Sequence, residues 1–357
     1  MLSNTLYKLT SEKRLKIAYF GGSILDGACA SDMEKTSCRA LTTKWFRESF
    51  PDAVIEENNA CIGGTGTGFG MFRIGKDVLE KKPDLIFIEY ATNDWEDDYD
   101  KILMQTESIL RKIRRELPYC DVVMVMATDD DITDVTDSGI EYESRTAHAA
   151  ASHHYKVPVV DPGNATYAWL LKNKAEKEAL SPDKQHPNDL GYSVMADSLT
   201  KWLGDMFERA SHPAELRAHA MPKLLCDKIF DRADMEYCEE NENVTFTGFE
   251  FRKPTRKERV GKYLDSTHGG DEITFTFEGT VFGIYWIGGF ASTDVLVSID
   301  GGEEKQYDTW DNYLRSFQRL RAAIICDDLA DGPHIAKVKV LSCNTPHVGI
   351  GGFFVCR

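Results

Sequence analysis

The sequence has little of what several common classes of protein require. None of its 357 residues belong to an apolar run that approaches the roughly 20 residues of a membrane-spanning helix, so we expect no membrane span. The polar stretch from Met1 to Arg14 lacks the apolar core of a secretory signal. The formal net charge of −16 and the absence of a basic stripe argue against a nucleic-acid partner. A neutral partner such as a sugar remains compatible with this composition.

The usual cysteine and histidine motifs are also missing. The nine cysteines are an odd number, and no two of them have the close CxxC spacing of zinc or redox sites. Reduced thiols in a cytoplasmic protein fit this pattern best. The histidines form no HExxH or similar ligand spacing, so we expect neither a metal nor a cofactor. The composition leaves a homo-oligomer open.

The first part of the chain predicts an α/β domain. Short apolar runs alternate with longer amphipathic stretches, which is typical of a parallel sheet wrapped by helices. The candidate strands are 15–20, 53–57, 85–90, 122–127 and 157–160. The candidate helices are 36–50, 72–81, 101–117, 143–154, 166–179 and 193–210. We therefore predict a flavodoxin-like, doubly wound parallel sheet within residues 1–212.

The pattern changes after Ala210 and predicts a second domain. Short runs rich in Val, Ile, Phe, Tyr and Thr are separated by Gly, Asp and Pro turns at nearly hairpin spacing. The candidate strands are 244–251, 272–277, 281–287, 294–299, 319–325, 335–340 and 350–355. This spacing is typical of an antiparallel β-sandwich, of jelly-roll type, and we place it at residues 213–357.

A serine follows the first strand directly. The strand runs into Gly21-Gly22-Ser23, which places Ser23 at the carboxyl edge of the sheet, where ligand sites of open parallel sheets lie. The glycines allow a tight turn that points the serine hydroxyl and its N–H at an incoming carbonyl. A Gly-Gly-Ser after a strand is also compatible with a plain turn.

Two further strand ends carry hydrogen-bond donors. A glycine-rich loop, 59–68, follows the second strand, and it lacks both the Lys-Ser/Thr of a phosphate loop and the GxGxxG order. Its backbone N–H groups suit a transient oxyanion, with Gly64 the first candidate and Gly63 the second. The third strand delivers Asn93, whose amide can donate to the same oxyanion. Asn93-Asp94 is equally compatible with a helix cap or a turn.

An Asp and a His lie three residues apart before the last helix of this domain. Within one loop turn, the Asp183 carboxylate can accept the Nδ1–H of His186. That hydrogen bond fixes the tautomer in which Nε2 is free to take a proton from Ser23. Ser23, Asp183 and His186 are therefore the candidate catalytic residues of a serine hydrolase.

These blocks resemble the SGNH, or GDSL-type, hydrolases over roughly residues 15 to 210. The likeness implies that Ser23 is the nucleophile and that Asp183 and His186 complete its triad. It implies an oxyanion hole made of the Ser23 N–H, the Gly64 N–H and the Asn93 side chain. Gly22 and Ala91 stand where the family usually has Asp and Gly. Neither position supplies a catalytic group, so the departures concern the subfamily.

Aromatic residues suggest a sugar ester. Trp95 follows Asn93-Asp94, and Trp286 and Trp310 lie in or beside predicted loops of the sandwich, where flat rings can stack on sugars. Core packing is the alternative for Trp95 and Trp286. The domain order resembles bacterial mannan O-acetylesterases with a carbohydrate-binding-type sandwich. This likeness implies removal of acetyl groups from the 2-hydroxyl of mannose in short oligosaccharides.

Other functions remain open on the sequence alone. They are an acetylesterase acting on xylan or another polysaccharide, a lysophospholipase or thioesterase of the same superfamily, an acetyltransferase that uses the same acyl-enzyme, and a carbohydrate-binding protein on an inactive hydrolase scaffold. The Ser, Gly, Asn, Asp and His set argues against the last of these.

Overall fold

The chain folds into two compact units. The computed structural model describes residues 2–128, 141–210, 212–254, 261–288, 292–309, 319–342 and 347–357. The first unit spans Met1–Asp231 and the second Arg232–Arg357. Among the helices of the described residues, none has the length and apolar character needed to cross a bilayer.

The first unit is built on a five-stranded parallel sheet. Its strands are β1 (Arg14–Gly21), β2 (Val54–Asn59), β3 (Leu85–Glu89), β4 (Asp121–Val125) and β5 (Val159–Val160). Their spatial order, β2-β1-β3-β4-β5, is that of the flavodoxin-like doubly wound sheet. Every residue of β3 and β4 is buried, as parallel strands covered on both faces require. The sheet predicted from the sequence is confirmed.

Eight α-helices accompany this sheet in the described residues. They are α1 (Ser3–Tyr7), α2 (Ser23–Asp26), α3 (Cys38–Ser49), α4 (Thr67–Asp77), α5 (Tyr99–Glu116), α6 (Glu143–His154), α7 (Pro162–Asn173) and α8 (Asp189–Arg209). Shorter helical turns cover Lys8–Glu12, Leu79–Lys81 and Lys177–Ala179. Side-chain caps fix several starts: the Ser37 hydroxyl accepts the Ala40 N–H at α3, and the Asn188 side chain accepts the Gly191 N–H at α8.

Four helices, α4, α5, α7 and α8, begin earlier than the sequence predicted, and α4 and α7 show the reason. α4 starts at Thr67 instead of residue 72, because the distant Asp94 carboxylate accepts the Thr67 N–H at 2.9 Å. α7 starts at Pro162 instead of residue 166, because Asp161 caps it and proline suits the first helical turn. Each start depends on a side-chain acceptor rather than on apolar periodicity.

The boundary between the units lies at Asp231, later than the predicted residue 212. The polar segment 213–231, which we call the return segment, packs on the first unit. Its Leu225 and Cys226 N–H groups each donate to the buried carboxylate of Glu107, both at 2.8 Å. His219 Nε2 lies 2.8 Å from the Asp121 carboxylate. These contacts make the return segment part of the first unit.

The second unit is formed by antiparallel strands in two sheets. The strands are β6 (Ala233–Tyr237), β7 (Val244–Thr247), β8 (Glu250–Arg252), β9 (Tyr263–Ser266), β10 (Glu272–Glu278), β11 (Val281–Gly288), β12 (Val295–Ile299), β13 (Lys305–Tyr307), β14 (Arg319–Cys326), β15 (Pro333–Val340) and β16 (Val348–Cys356). One sheet has the order β13-β12-β15-β10-β7, the other β14-β11-β16-β9-β8, and β6 also pairs with β16. The predicted antiparallel fold of this region is confirmed.

One predicted strand is divided between the two sheets. The run 244–251 separates into β7, which pairs with β10, and β8, which pairs with β9. Gly248 lies between them at φ +82°, where a Cβ would collide with the Asp271 carboxylate. Because only glycine fits this position, the chain turns here and changes sheet.

Candidate active site

Ser23 lies at the carboxyl end of β1 and is the first residue of α2. Because α2 begins at Ser23, the Ser23 N–H has no carbonyl of the same helix to donate to. This N–H points outward from the N-terminal end of α2. Gly22 precedes it, and a Cβ on Gly22 would collide with the side-chain oxygen of Asn93. Because residue 22 has no side chain, the Asn93 side chain can pack against the backbone next to Ser23.

His186 connects Ser23 to Asp183. Its Nε2 lies 2.8 Å from Ser23 Oγ, and its Nδ1 lies 2.8 Å from Asp183 Oδ2. Ser23 and His186 are half-buried, and Asp183 is more exposed. A neutral imidazole that donates from Nδ1 to a carboxylate leaves Nε2 as an acceptor for the serine proton. The three side chains selected from the sequence thus form one hydrogen-bonded chain.

The Asp183 carboxylate is held by its own loop. Oδ1 accepts the backbone N–H groups of His186, at 2.6 Å, and Gln185, at 2.9 Å. Burial raises the pKa of Asp183, but the hydrogen bonds from these N–H groups and from the imidazole outweigh it and hold that pKa well below its usual range. The carboxylate therefore stays ionised wherever the imidazole can act as a base.

The glycine-rich loop and Asn93 lie at the same sheet edge as Ser23. A Cβ on Gly63 would approach Ser23 Cβ to 3.3 Å, so the loop backbone passes beside the serine. Gly64 follows with its backbone exposed to solvent. Asn93 is half-buried in the turn after β3, and its N–H donates to the Tyr90 carbonyl at 2.9 Å. The Gly63 backbone and the Asn93 side chain therefore lie beside Ser23 and the neighbouring Gly22, respectively.

A buried network behind Asn93 was missed by the sequence analysis. Asp94 is 1% exposed, accepts the N–H and hydroxyl of Thr67, and lies 2.9 Å from His148 Nε2. The other imidazole nitrogen lies 3.0 Å from the Thr106 hydroxyl. Asp94 thereby ties the turn carrying Asn93 to the glycine-rich loop. The sequence places Asp94 directly after Asn93, but nothing in the sequence connects Asp94 to His148.

Glu89, the last residue of β3, is a second buried carboxyl that the sequence analysis missed. Its side chain is 1% exposed, and Oε1 accepts the Thr92 hydroxyl at 2.7 Å. Oε2 has no hydrogen-bond partner among the described residues. Burial raises the pKa of Glu89 to about 7, although the Thr92 hydrogen bonds and the nearby His148 favour the ionised form.

Cys29 also contacts the catalytic group. Its thiol donates to Asp183 Oδ2 at 3.4 Å, although the two residues are far apart in the sequence. Burial, the hydrogen bond to Asp183 and the charge of that carboxylate raise the pKa of the Cys29 thiol. Cys29 is nonetheless exposed to solvent. The sequence analysis grouped it with the other reduced thiols, because no local spacing connects it to residue 183.

The three tryptophans proposed for sugar stacking have different environments. Trp95 is 44% exposed in the turn after Asn93, so part of its ring is open to solvent. Trp286 is 2% exposed and packs in the core of the second unit, so its ring has no open face for a sugar. The stacking role expected for Trp286 is therefore not supported. Trp310 lies outside the described residues.

Comparison with known proteins places this site in context. Residues 19–194 match the model described as GDSL-like Lipase/Acylhydrolase family. No curated protein matches the sequence. Two crystal structures of a two-domain esterase, CEX, active on acetylated mannans are similar over nearly the whole chain. The one co-crystallised with mannopentaose has a TM-score of 0.82 and 22% identity, and covers 99% of this chain and 94% of that one. The other has a TM-score of 0.83 and 22% identity, with coverage of 100% and 95%.

These comparisons agree with the sequence analysis at the level of fold. The resemblance to GDSL-type hydrolases is confirmed for the first unit. The similarity to a two-domain esterase extends through the second unit, so both chains share the order of an α/β fold followed by antiparallel sheets.

Proposed function

We propose that the protein is a carbohydrate O-acetylesterase that acts on acetylated mannan oligosaccharides, since residues 19–194 match the model of the GDSL-like lipase/acylhydrolase family. The observation that carries the proposal is the hydrogen-bonded chain from Ser23 Oγ through His186 to Asp183, with both hydrogen bonds at 2.8 Å. No other group of the site is needed to activate the serine.

In the proposed reaction, His186 Nε2 takes the proton of Ser23 as Oγ attacks the ester carbonyl. The imidazolium that forms is stabilised by the ionised Asp183. It then protonates the sugar oxygen as the bond from that oxygen to the acetyl carbon breaks, so the sugar leaves as a free hydroxyl and an acetyl-serine remains. Water, deprotonated by the same imidazole, releases acetate and restores the serine.

The developing oxyanion is assigned to three donors. They are the Ser23 N–H at the start of α2, the Gly64 N–H and the Asn93 side-chain amide. Such preorganised donors act on the charge that appears in the transition state and not on the ground-state ester, so their loss should lower turnover more than binding.

The choice of an acetylated sugar depends on two observations. CEX, which has the same order of folds, is active on acetylated mannans. Trp95, two residues after Asn93 in the chain, has a partly exposed ring, and aromatic faces stack well on sugar rings. We assign Trp95 to the wall that holds the substrate and the second unit to carbohydrate binding.

Acetate release from acetylated mannan and acetylated xylan oligosaccharides, measured in parallel, tests the proposal. Ser23→Ala should abolish release, whereas Ser49→Ala, an exposed serine at the end of α3, should not change it. Release from mannan alone would support the full proposal. Preference for xylan would show that the assignment to mannan is wrong. Activity only on long acyl chains would show that the substrate is not an acetylated carbohydrate. Failure of a fluorophosphonate to label Ser23 would contradict the serine mechanism.

A further inference from the structure

Three unlike metal-binding groups converge beside the catalytic serine. Cys29 Sγ lies 3.4 Å from Asp183 Oδ2, which lies 2.8 Å from His186 Nδ1. One ligand atom from each of these residues lies within 4.8 Å of those of the other two. Among the described residues, no other group of three or more Cys, His, Asp or Glu side chains meets this geometry.

We propose that Cys29, Asp183 and His186 form an inhibitory Zn²⁺ site. Zinc accepts thiolate, imidazole and carboxylate ligands in one tetrahedral shell, with bonds of about 2.0–2.3 Å. Tetrahedral ligands at those bond lengths lie roughly 3.5 Å apart. The separation of Sγ and Oδ2 already fits this value, and Asp183 and His186 need to separate by about 0.7 Å. The fourth position is open to water.

The imidazole couples zinc binding to inhibition. Binding of Zn²⁺ releases one proton and moves another: the Cys29 thiol loses its proton to solvent, and the proton on His186 Nδ1 moves to Nε2 as Nδ1 coordinates the metal. The imidazole then presents an N–H to Ser23 where it previously presented a lone pair. It cannot accept the serine proton, so attack on an ester stops until the metal leaves.

The loop that carries Cys29 is held in place by α8, the helix that begins three residues after His186. The Tyr192 hydroxyl donates to the Ala28 carbonyl at 2.7 Å. Ser31 donates through its N–H and its hydroxyl to the Asp189 carboxylate, at 2.8 and 2.5 Å. The acceptor Asp189 and the donor Tyr192 both belong to the first turn of α8 and follow His186 by three and six residues. The chain is therefore held on both sides of residue 29, which lowers the entropic cost of assembling the metal site.

The test compares two cysteine variants. Cys29→Ser removes the thiolate but keeps a hydroxyl donor beside Asp183. Cys326→Ser is the matched control, because Cys326 Sγ also contacts a carboxylate, Asp328 Oδ1 at 3.0 Å, but belongs to no group of three ligands. Hydrolysis of p-nitrophenyl acetate is titrated with Zn²⁺ and reversed with EDTA, and each rate is normalised to the metal-free rate of the same variant. Binding of Co²⁺ is followed separately by its thiolate charge-transfer absorption.

We expect reversible inhibition by micromolar Zn²⁺ in the wild type and in Cys326→Ser. In Cys29→Ser the inhibition constant should rise at least about tenfold, since even residues that only orient a ligand change metal affinity by that much. The cobalt–thiolate band should disappear in Cys29→Ser alone. Equal zinc inhibition in the two variants, or a thiolate band that persists without Cys29, would overturn the proposal. The cobalt measurement does not depend on the esterase assignment, so the two proposals can fail separately.

Discussion

Replacing Glu89 by Gln should change how the stability of the first unit depends on pH. Glu89 is buried at the end of β3, and burial raises its pKa from 4.5 to about 7. The Thr92 hydroxyl contacts one carboxyl oxygen, while His148 and Asp94 contribute opposing charges nearby. Ionising Glu89 therefore costs about 3 kcal/mol more in the folded protein than in the unfolded chain.

The direction of the change in the free energy of unfolding with pH depends on whether the folded or the unfolded state binds the Glu89 proton more tightly. The folded state holds the Glu89 proton more tightly than the unfolded chain does, so its contribution to stability is complete below pH 4.5 and is lost as the pH rises through about 7. The neutral amide of Glu89→Gln has no such dependence. The free energy of unfolding of the variant, minus that of the wild type, should therefore rise by roughly 2.5 kcal/mol between about pH 5 and about pH 8.

Urea unfolding followed by circular dichroism measures this difference. The helices of the described chain all lie in the first unit, so the helical signal reports on that unit. Glu48→Gln, an exposed position near the end of α3, provides the control and should show a nearly constant difference. If the Glu89→Gln difference is equally flat, Glu89 is not held as the neutral acid and the reasoning is wrong.

Three substitutions test the catalytic geometry. Gly22→Ala should place a methyl group against the Asn93 side chain and lower kcat by roughly 10²–10³ without loss of helical signal; unchanged kcat would show that Asn93 can move without cost. Asn93→Ala should lower kcat by a similar factor, about 3–4 kcal/mol, and the double variant should be little worse than either single one, because both remove the same donor; additive losses would contradict this. Asp183→Asn should lower kcat by about 10⁴, because an amide does not fix the His186 tautomer. In the wild type, the low pKa of Asp183 predicts that log kcat/KM rises on the acid side with a slope of one, and a slope of two would show that Asp183 titrates in the same range.

The local periodicity of the sequence was sufficient to predict the parallel sheet. The sheet in turn predicted that the residues after neighbouring strands lie at one edge. Ser23, Asn93 and the loop after β2 each follow a strand, and the carboxyl ends of neighbouring parallel strands meet at one edge. The pairing of Asp183 with His186 is a contact within one loop, so their spacing was sufficient to predict it. The roles of these residues in catalysis remain predictions.

Contacts between distant segments were not predictable in the same way. Cys29 contacts Asp183 because the loop after α2 is hydrogen-bonded to α8. Asp94 caps α4, a helix that begins 27 residues earlier in the chain. Trp286 was misplaced because every residue of β11 is buried, so the strand shows no alternation that separates a core face from an exposed one. The turn at Gly248 divides a continuous β-rich run, and its effect depends on which sheet each half joins.

The return segment, residues 213–231, determines where this chain can be joined to a different second domain without disrupting the first unit. A recombination junction at residue 212 would look natural, because the following residues are polar and irregular. It would nevertheless separate the buried Glu107 side chain from the two backbone N–H groups that donate hydrogen bonds to it. A junction after Asp231 keeps those partners together. A chimera that joins this hydrolase fold to a different second domain should therefore inherit the return segment from the hydrolase parent.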